Sequence, residues 1–475
     1  MKKFKKAMAL SLALAMGLSL VACGDKKEDE TTAATEATEA TEATEATEET
    51  EAPTESEVVE ETVKMEAPSA DGEKIHVYSW NDELGKRIDT HFNSRYPELA
   101  DLVVYHNLDL GGTSADYQTK IQSAVEAGGE EVPSIIAADN DVALVFAEKD
   151  YTVALDSIGL TADMYANAYD YTVQYGTIDG TLKAMTWQAT PGCYVYNTEV
   201  AQAALGVSEP EDVQELVKDW DTFFATAETL KGAGKYILSG FDDVKYVCID
   251  QKTSKWVENG ALNIDQAVVD YLEIAKKLYD GGYTKETTMW GADWNTNMGE
   301  DEVLGWFGCT WFVPWSLDAE GKNTGNWRIT QGPADYHWGG SYLTVTDACP
   351  NKELAAFVLY TLCCDEEVAY DLYDIDKDYP NNKLGVQNLI ADGKGANDKL
   401  GGQDPLEVWD AAAQGISLKY ATQYDAIFNT YADTASVSFN TGEPTSTGEV
   451  IDSIEAAQAY IKAQVAANYA DITVE

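Results

Sequence analysis

The sequence predicts an α/β fold. Three observations support this prediction: the length of the chain, an alternation of strand and helix patterns between residues 74 and 139, and a remainder rich in helical periodicity. The chain has 475 residues, of which 45% are hydrophobic, so it can bury a large core and form two or three domains. Alternating strands and helices are typical of a mostly parallel sheet with helices on both faces.

The elements of this first part follow one another at short intervals. Period-two alternation predicts strands, and apolar side chains three or four positions apart predict helices. Serine, glycine and proline mark where the helices begin or end. The resulting order is strand 74–80, helix 84–92, strand 102–105, helix 114–127 and strand 134–138.

Polar and aromatic residues follow two of these strands. The first strand runs into Trp80, Asn81 and Asp82, and the third ends at Asp139 and Asn140. Open α/β sheets bind ligands at the carboxyl ends of their strands. These residues therefore lie where a ligand is expected.

Helical periodicity dominates the rest of the chain. Strand patterns are short there and few. The predicted helices are 212–230, 264–279, 353–372 and 449–468, and the predicted strands are 304–307 and 341–345.

Tryptophan is concentrated in one segment. Seven of the twelve tryptophans lie between residues 290 and 338. Trp294, Trp306 and Trp327 alternate with apolar neighbours and are predicted to be buried. Tryptophan beside glycine, asparagine and aspartate also suits a sugar site, because a sugar packs its C–H face on an aromatic ring while its hydroxyls bond carboxylates and amides.

Charge and motifs exclude several classes of function. With 82 acidic and 32 basic residues the formal net charge is −50, which argues against nucleic acid as a partner. No HExxH or GxSxG motif is present. We therefore predict no catalytic residue, no cofactor and no metal, and the protein is expected not to be an enzyme. Asp374, Asp376 and Asp378 begin like a calcium loop but lack its later residues, so a solvated acidic loop is predicted there and calcium binding is the alternative.

The amino terminus has the features of an export signal and a tether. Four lysines precede an apolar run that is too short to span a bilayer, and a small residue stands before Cys23. Residues 1–22 thus resemble a bacterial lipoprotein signal peptide, which implies lipidation of Cys23 and anchoring without a membrane span. Residues 23–70 are acidic, low in complexity and predicted to be a disordered tether. Most of the six later cysteines are predicted to be buried small hydrophobes.

Several further segments, in this order, resemble the extracellular solute-binding lipoproteins of bacterial ABC importers. The resemblance is to the carbohydrate-type family 1, which includes maltose-binding-protein-like members. The segments are 75–83, 134–139, 180–188, 191–197, 205–207, 220–224, 308–311, 339–342 and 350–357.

This resemblance implies a periplasmic-binding-protein-like fold of two α/β lobes joined by hinge strands, with the ligand in the cleft between them. It places lobe one at 71–186 and 338–378, and lobe two at 187–337 and 379–475. The implied function is capture of a sugar or oligosaccharide by hinge closure and its delivery to an ABC permease. A monomer on the outer face of the cell membrane is expected.

The motif positions also suggest ligand-binding residues. Aromatic rings are expected to stack on the ligand, and carboxylates and amides are expected to bond its polar groups. The candidates are Trp80, Asp82, Asp139, Asn140, Gln188, Trp311 and Tyr342, followed by Trp256 and Tyr424.

Three other functions stay open from the sequence. A cationic solute such as a polyamine would suit an acidic, aromatic cleft. A surface carbohydrate-active hydrolase would need two facing carboxylates, one with a raised pKa. An adhesion lipoprotein without a transporter is the third.

Overall fold

A computed structural model describes residues 58–59, 62–317 and 325–475. They belong to one compact unit, Pro53–Glu475. The predicted signal peptide 1–22, the predicted lipidation of Cys23 and most of the predicted tether lie outside the described residues.

The strands are short and are distributed over most of the chain. In the described part they are numbered β1 to β14 in order. They are Ile75–Ser79, Val103–Asn107, Ile135–Asp139, Thr177–Ile178, Thr181–Leu182, Ala184–Thr186, Gly192–Asn197, Leu238–Gly240, Val257–Glu258, Ala261–Leu262, Thr284–Thr287, Gly305–Cys309, Trp327–Thr330 and Ser341–Val345.

The α-helices of the described part are numbered α1 to α17 in the same way. They are Glu83–Arg87, Ala115–Ala127, Asn140–Ala147, Asp170–Gly176, Thr198–Leu205, Pro210–Val217, Trp220–Gly232, Lys245–Ile249, Gln266–Asp280, Ala292–Asn297, Phe312–Trp315, Lys352–Cys363, Glu366–Asp376, Lys383–Ala391, Leu406–Gly415, Asp425–Thr441 and Ile454–Asn468.

Five strands form one sheet, which we call sheet A, in the order β2-β1-β3-β14-β6. β1 pairs in parallel with both β2 and β3, as the alternation of the first part predicted. β14 returns from late in the chain and runs antiparallel to β3 and β6. The carboxyl ends of β1 and β3 therefore meet at one edge of sheet A.

Three antiparallel strands form a second sheet, sheet B, in the order β12-β7-β13. All of its residues but one lie buried, because helices and loops cover both faces. Trp306 and Trp327 stand on adjacent strands with ring centroids 5.5 Å apart, and both are buried, as predicted. Sheet B thus anchors the tryptophan-rich segment.

Three chain segments run side by side between the two sheets, at 187–191, 336–340 and 378–381. Gln188 pairs with Pro380 and Pro191 pairs with His337 as isolated bridges. The Ala189 amide also donates to the Tyr379 carbonyl at 3.0 Å. We call these the connecting segments.

The predicted helices 114–127 and 264–279 are confirmed, and the other four differ in their bounds. The predicted helices over 212–230 and 353–372 are each two helices. Asp219 and Asp365 interrupt them because each side chain accepts a backbone N–H of the following helix as its N-cap. The predicted helix 449–468 begins only at Ile454, where Ser453 is the cap. The predicted helix 84–92 is a short α-helix continued by a π-helical turn, Ile88–Asn93.

The six cysteines after Cys23 are free and buried, which confirms the prediction for their side chains. Burial raises the pKa of the Cys193 thiol to about 12, so it is unreactive at neutral pH. Within the described ranges no helix is long and apolar enough to cross a membrane. No cluster of three or more metal-ligating side chains occurs there either.

The last residues of the predicted tether contact the folded part. The Val59 amide donates to Asn167 Oδ1 at 2.9 Å, and Asn167 Nδ2 donates to the Val59 carbonyl at 2.8 Å. The Val63 amide donates to the Asp163 carbonyl, and Met65 packs against the core under sheet A. The ordered chain therefore extends before residue 71, without helix or strand from 62 to 70.

Candidate functional site

A cleft of about 790 Å³ opens at the carboxyl edge of sheet A. Its other wall comes from loops and short helices that follow strands of the second half. Nineteen residues line it: Trp80, Asn81, Asp82, Glu83, Lys86, Arg87, Thr113, Asp139, Asp141, Gln188, Tyr246, Trp290, Trp311, Trp315, Ser316, Trp338, Gly339, Gly340 and Ser341.

The sheet A side of the cleft is mainly polar. Trp80 follows β1 and stands edge-on to Tyr117, with 6.0 Å between ring centroids. Gly112 lies against the Trp80 indole, where a Cβ would come within 2.9 Å of the ring, so only glycine fits this position without a shift. Asp139 ends β3 and its carboxylate also caps α3 by accepting the Asp141 amide at 3.0 Å.

The opposite wall is an aromatic cluster. The Trp311 ring lies 4.9 Å from that of Trp338 and 5.9 Å from that of Trp290, measured between centroids. Trp311 Nε1 donates to the Trp338 carbonyl at 2.8 Å, which fixes the orientation of the indole. Tyr246 stacks on Trp338 at 4.9 Å. We call Tyr246, Trp290, Trp311 and Trp338 the aromatic wall.

Burial raises the pKa of two carboxyl groups that line the cleft, those of Glu83 and Asp139. The pKa of Glu83 is raised to about 7, first by desolvation and then by the nearby Asp378 carboxylate. The pKa of Asp139 is raised to about 7 by desolvation and by Asp141. Asp82 differs, because it is exposed and its ion pair with Lys86 at 2.9 Å lowers its pKa.

Beneath the cleft, Asp378 joins the connecting segments to α1. Its carboxylate accepts hydrogen bonds from Arg87 Nε at 3.2 Å, Trp187 Nε1 at 3.0 Å and Gln188 Nε2 at 3.1 Å. Arg87 also pairs with Asp376 at 3.2 Å. Two of the three aspartates that begin like a calcium loop are therefore engaged with a buried arginine.

A family of known proteins matches most of this architecture. The sequence profile described as bacterial extracellular solute-binding protein matches residues 104–400, which is more than half of the chain. The chain belongs to this family. The predicted family and the periplasmic-binding-protein-like fold class are confirmed, and the family implies a location outside the cytoplasm.

Solved structures share the fold of this solute-binding protein at low sequence identity. An extracellular solute-binding protein of family 1 is 16% identical, with a TM-score of 0.68, and the match covers 83% of this chain and 99% of that one. The lacto-N-biose-binding protein of Bifidobacterium longum is 16% identical, with a TM-score of 0.62 and coverage of 85% and 98%. MalE of Xanthomonas citri is 15% identical, with a TM-score of 0.63 and coverage of 82% and 96%. No curated protein sequence matches the chain.

The structure brings five of the predicted ligand residues of this solute-binding protein into the cleft. Trp80, Asp82 and Asp139 lie on the sheet A side, Gln188 lies on a connecting segment, and Trp311 lies in the aromatic wall. Asp139 also caps helix α3, and Gln188 also pairs with Pro380 between two of the connecting segments. That these five residues contact a ligand stays a prediction.

Two predicted residues next to the cleft point away from it. Tyr342 is 2% exposed and packs on Tyr175 at 4.6 Å, because successive residues of β14 face opposite sides and Ser341 takes the cleft side. Asn140 is buried as the first residue of α3, and its Oδ1 lies 3.3 Å from His337 Nε2.

The two remaining predicted residues lie in a separate core formed by the C-terminal helices. Trp256 is 1% exposed and its Nε1 donates to Asn429 at 3.1 Å. Tyr424 stacks on Phe428 at 5.3 Å. Neither residue lines the cleft, because both are needed to cover α16 and α17.

Sequence reasoning did not single out several residues that line the cleft. They are Glu83, Asp141, Tyr246, Trp290, Trp315 and Trp338. The concentration of tryptophan between 290 and 338 was the available signal for three of them. Periodicity does not separate a tryptophan that fills the core from one that faces a cleft, and only the fold made this distinction.

Proposed function

We propose that this protein is the solute-binding component of an ABC importer and that it captures a sugar or an oligosaccharide in the cleft. The observation that most directly supports this proposal is the arrangement of the two walls of the cleft. Carboxyl and amide groups on the sheet A side face the aromatic wall. A sugar needs both, because its hydroxyls seek hydrogen bonds while its C–H faces pack on rings. Relatives with the same fold are described as complexes with lacto-N-biose and with β-1,6-galactobiose, which supports this class of ligand.

Within this proposal, Trp80 and Trp311 stack on the sugar from opposite sides. Asp82, Asp139 and Gln188 hydrogen-bond its hydroxyls. Asn140 and Tyr342 act from beneath the cleft by holding α3 and β14 in place. No covalent step is required, so the protein is proposed to be a binding protein and not an enzyme.

The proposed mechanism is closure about the connecting segments. Lobe one comprises 71–186 and 338–378, and lobe two comprises 187–337 and 379–475. A ligand that contacts both walls stabilises the closed state over the open one, because its affinity for the closed state is higher. The closed form is then presented to the permease.

We further propose that the protein is a monomer anchored to the outer face of the cell membrane through lipidated Cys23. Signal peptide 1–22 is removed in this scheme. Labelling with a radioactive fatty acid should mark the wild-type chain and not the Cys23→Ser variant. Equal labelling of both chains would contradict the anchor.

The ligand class is tested by the thermal unfolding midpoint with and without mono- and oligosaccharides. A ligand at a hundredfold excess over its Kd adds about 2.7 kcal/mol of stability. We expect a raised midpoint with one sugar series, loss of that shift in Trp311→Ala, and recovery of the sugar unchanged. Trp220→Ala is the matched control, because Trp220 packs on Phe223 and Phe307 and does not line the cleft.

A cationic solute is the second candidate, favoured by the acidic groups Asp82, Glu83, Asp139 and Asp141 beside the aromatic wall. Spermidine is included in the same titration for this reason. A shift with spermidine alone would replace the sugar proposal. Conversion of an oligosaccharide into shorter products would favour a hydrolase.

A further inference from the structure

Two histidines of sheet A meet through their ring nitrogens. His76 lies in β1 and His106 in β2, and His76 Nδ1 lies 2.8 Å from His106 Nε2. One proton occupies this hydrogen bond, so one of the two nitrogens carries it and the other presents a lone pair. Neither histidine lines the cleft, and the proposed sugar binding uses neither of them.

The pairing of β1 with β2 holds the two rings together. The strands run in parallel with Tyr78 opposite His106, and His76 shares that face because it lies two positions before Tyr78. The His106 ring stacks on Tyr78 with 4.3 Å between centroids and an interplanar angle of 13°. The His76 amide donates to Ser134 Oγ at 3.2 Å. The arrangement of the two imidazoles therefore exists before any ligand binds.

The pair is partly open to solvent and lies in acidic surroundings. His76 is 8% exposed, whereas His106 is half-buried. Tyr78 Oη donates to the Glu131 carbonyl at 2.9 Å, which brings the loop before β3 beside the pair. The Glu131 side chain is exposed, and its charge acts on His106. The net charge of −50 also favours the approach of cations.

We propose that His76 Nδ1 and His106 Nε2 together bind a divalent transition ion of the Zn²⁺ or Ni²⁺ type, with water as the other ligands. Imidazole nitrogen suits these ions, whereas Mg²⁺ and Ca²⁺ take oxygen ligands. Bonds from zinc to histidine nitrogen are about 2.0–2.1 Å long, so two such nitrogens on a tetrahedral ion lie about 3.3 Å apart. The rings need to separate by only about 0.5 Å to admit the ion. The proton between them moves to the outer nitrogen of its own ring or to solvent.

This site departs from the sequence prediction of no metal. The two histidines are 30 positions apart along the chain, and only strand pairing brings them together. A pair is also smaller than the clusters of three or more side chains considered above, which is why water has to complete the coordination. β2 is an edge strand of sheet A that pairs with β1 alone. The bound ion would therefore join this edge strand to the body of the sheet.

The test is a calorimetric titration of the full chain with Zn²⁺ and with Ni²⁺. Excess Mg²⁺ in the buffer occupies the oxygen sites of the acidic surface. All chains carry Cys23→Ser, because the six remaining thiols are buried. The variants are His106→Gln and His76→Gln. His91→Gln is the matched control, since His91 is fully buried and bonds to Asp376 elsewhere in the fold.

We expect one ion to bind per chain and to raise the thermal unfolding midpoint, because the folded chain alone presents both nitrogens. Each variant of the pair should lose at least about tenfold in affinity, since even partners that only orient a metal ligand contribute about 10–100-fold. The control should bind the ion as the parent chain does. His106→Gln should keep the sugar response of the parent chain, which separates this site from the cleft.

Three results would overturn the site. Absence of saturable binding in excess Mg²⁺ would leave only the acidic surface as a ligand. Equal affinity in His106→Gln, His76→Gln and the parent chain would place the ion elsewhere. A loss of the same size in His91→Gln would assign the effect to the fold as a whole.

A spectroscopic readout on the parent chain keeps the test independent of how well the variants fold. Cu²⁺ binds nitrogen sites more tightly than Ni²⁺ or Zn²⁺ does. The electron paramagnetic resonance spectrum of one equivalent of Cu²⁺ should show splitting from two imidazole nitrogens. A spectrum with oxygen ligands alone would contradict the proposal.

Discussion

Removing the Asp378 carboxylate should destabilise the protein more than a typical surface substitution. The side chain is 10% exposed and its partner Arg87 is 9% exposed, so the ion pair is buried. Asp378→Ala leaves the Arg87 guanidinium, Trp187 Nε1 and Gln188 Nε2 without this acceptor. The expected outcome is a large fall in the free energy of unfolding.

The magnitude follows from the contacts that are lost and those that remain. Breaking a buried ion pair by removing one partner costs about 3–5 kcal/mol. Arg87 keeps Asp376 at 3.2 Å and Glu83 at 3.9 Å, which favours the lower end of that range. The indole and amide donors add part of the cost of unsatisfied polar groups, about 1–3 kcal/mol each when no water replaces the acceptor. We therefore expect a loss of about 3–5 kcal/mol.

The assay is equilibrium unfolding in urea followed by tryptophan fluorescence and by circular dichroism. Asp374→Ala is the matched control, since Asp374 lies in α13, the helix that precedes Asp378, and pairs with the surface residue Lys394. Pairs of this kind contribute about 0–1 kcal/mol. A loss for Asp378→Ala below about 1 kcal/mol, equal to that of the control, would refute the reasoning that this carboxylate joins α1 to the connecting segments.

The remaining predictions concern packing, pH and capping. Trp306→Ala should cost about 3–5 kcal/mol, because it empties a buried site in sheet B, whereas Trp315→Ala should stay within about 0.5 kcal/mol in the same urea titration. Burial raises the pKa of Glu83 and of Asp139 to about 7, above the values of about 4 in an unfolded chain. Between about pH 4 and pH 7 the folded chain therefore binds more protons than the unfolded chain does. The contribution of Glu83 and Asp139 to stability is full below about pH 4 and is lost as the pH rises through about 7. Glu83→Gln with Asp139→Asn should flatten that part of a plot of unfolding midpoint against pH, and an unchanged slope would assign it to other groups. Asn351→Ala should cost about 1 kcal/mol, because the side chain caps α12, and Asn351→Asp should restore most of it.

Local sequence patterns were sufficient to predict the bounds of several strands of sheet A and of the helix α2. Strand patterns located β1, β3 and β14 within one residue at either end, and Ser114 marked the start of α2. These strands are recognisable because nearly all of their residues are buried, on both faces of sheet A. Helix interruptions were harder, because Asp219 and Asp365 sit inside continuous apolar periodicity. An aspartate there is read as a solvent-facing helix residue until its side chain is seen to accept a backbone N–H of the next helix.

The candidate site divides in the same way. Trp80, Asp82 and Asp139 were predictable, because the ends of parallel strands meet at one edge whatever the rest of the fold does. Tyr342 and Trp256 were placed by motif position and composition, which give no direction for a side chain. Successive residues of β14 face opposite sides of the sheet, so Ser341 lines the cleft whereas Tyr342 is buried in the core.

The sequence by itself determined the fold class, the family and the polar edge of sheet A, because these depend on periodicity and on the order of short segments. Only the tertiary structure decided which tryptophans form the aromatic wall and that Glu83, Arg87 and Asp378 come together beneath the cleft. Glu83 and Asp378 lie far apart along the chain. Their proximity is set by how the connecting segments pack against α1, and no local pattern records the result of that packing.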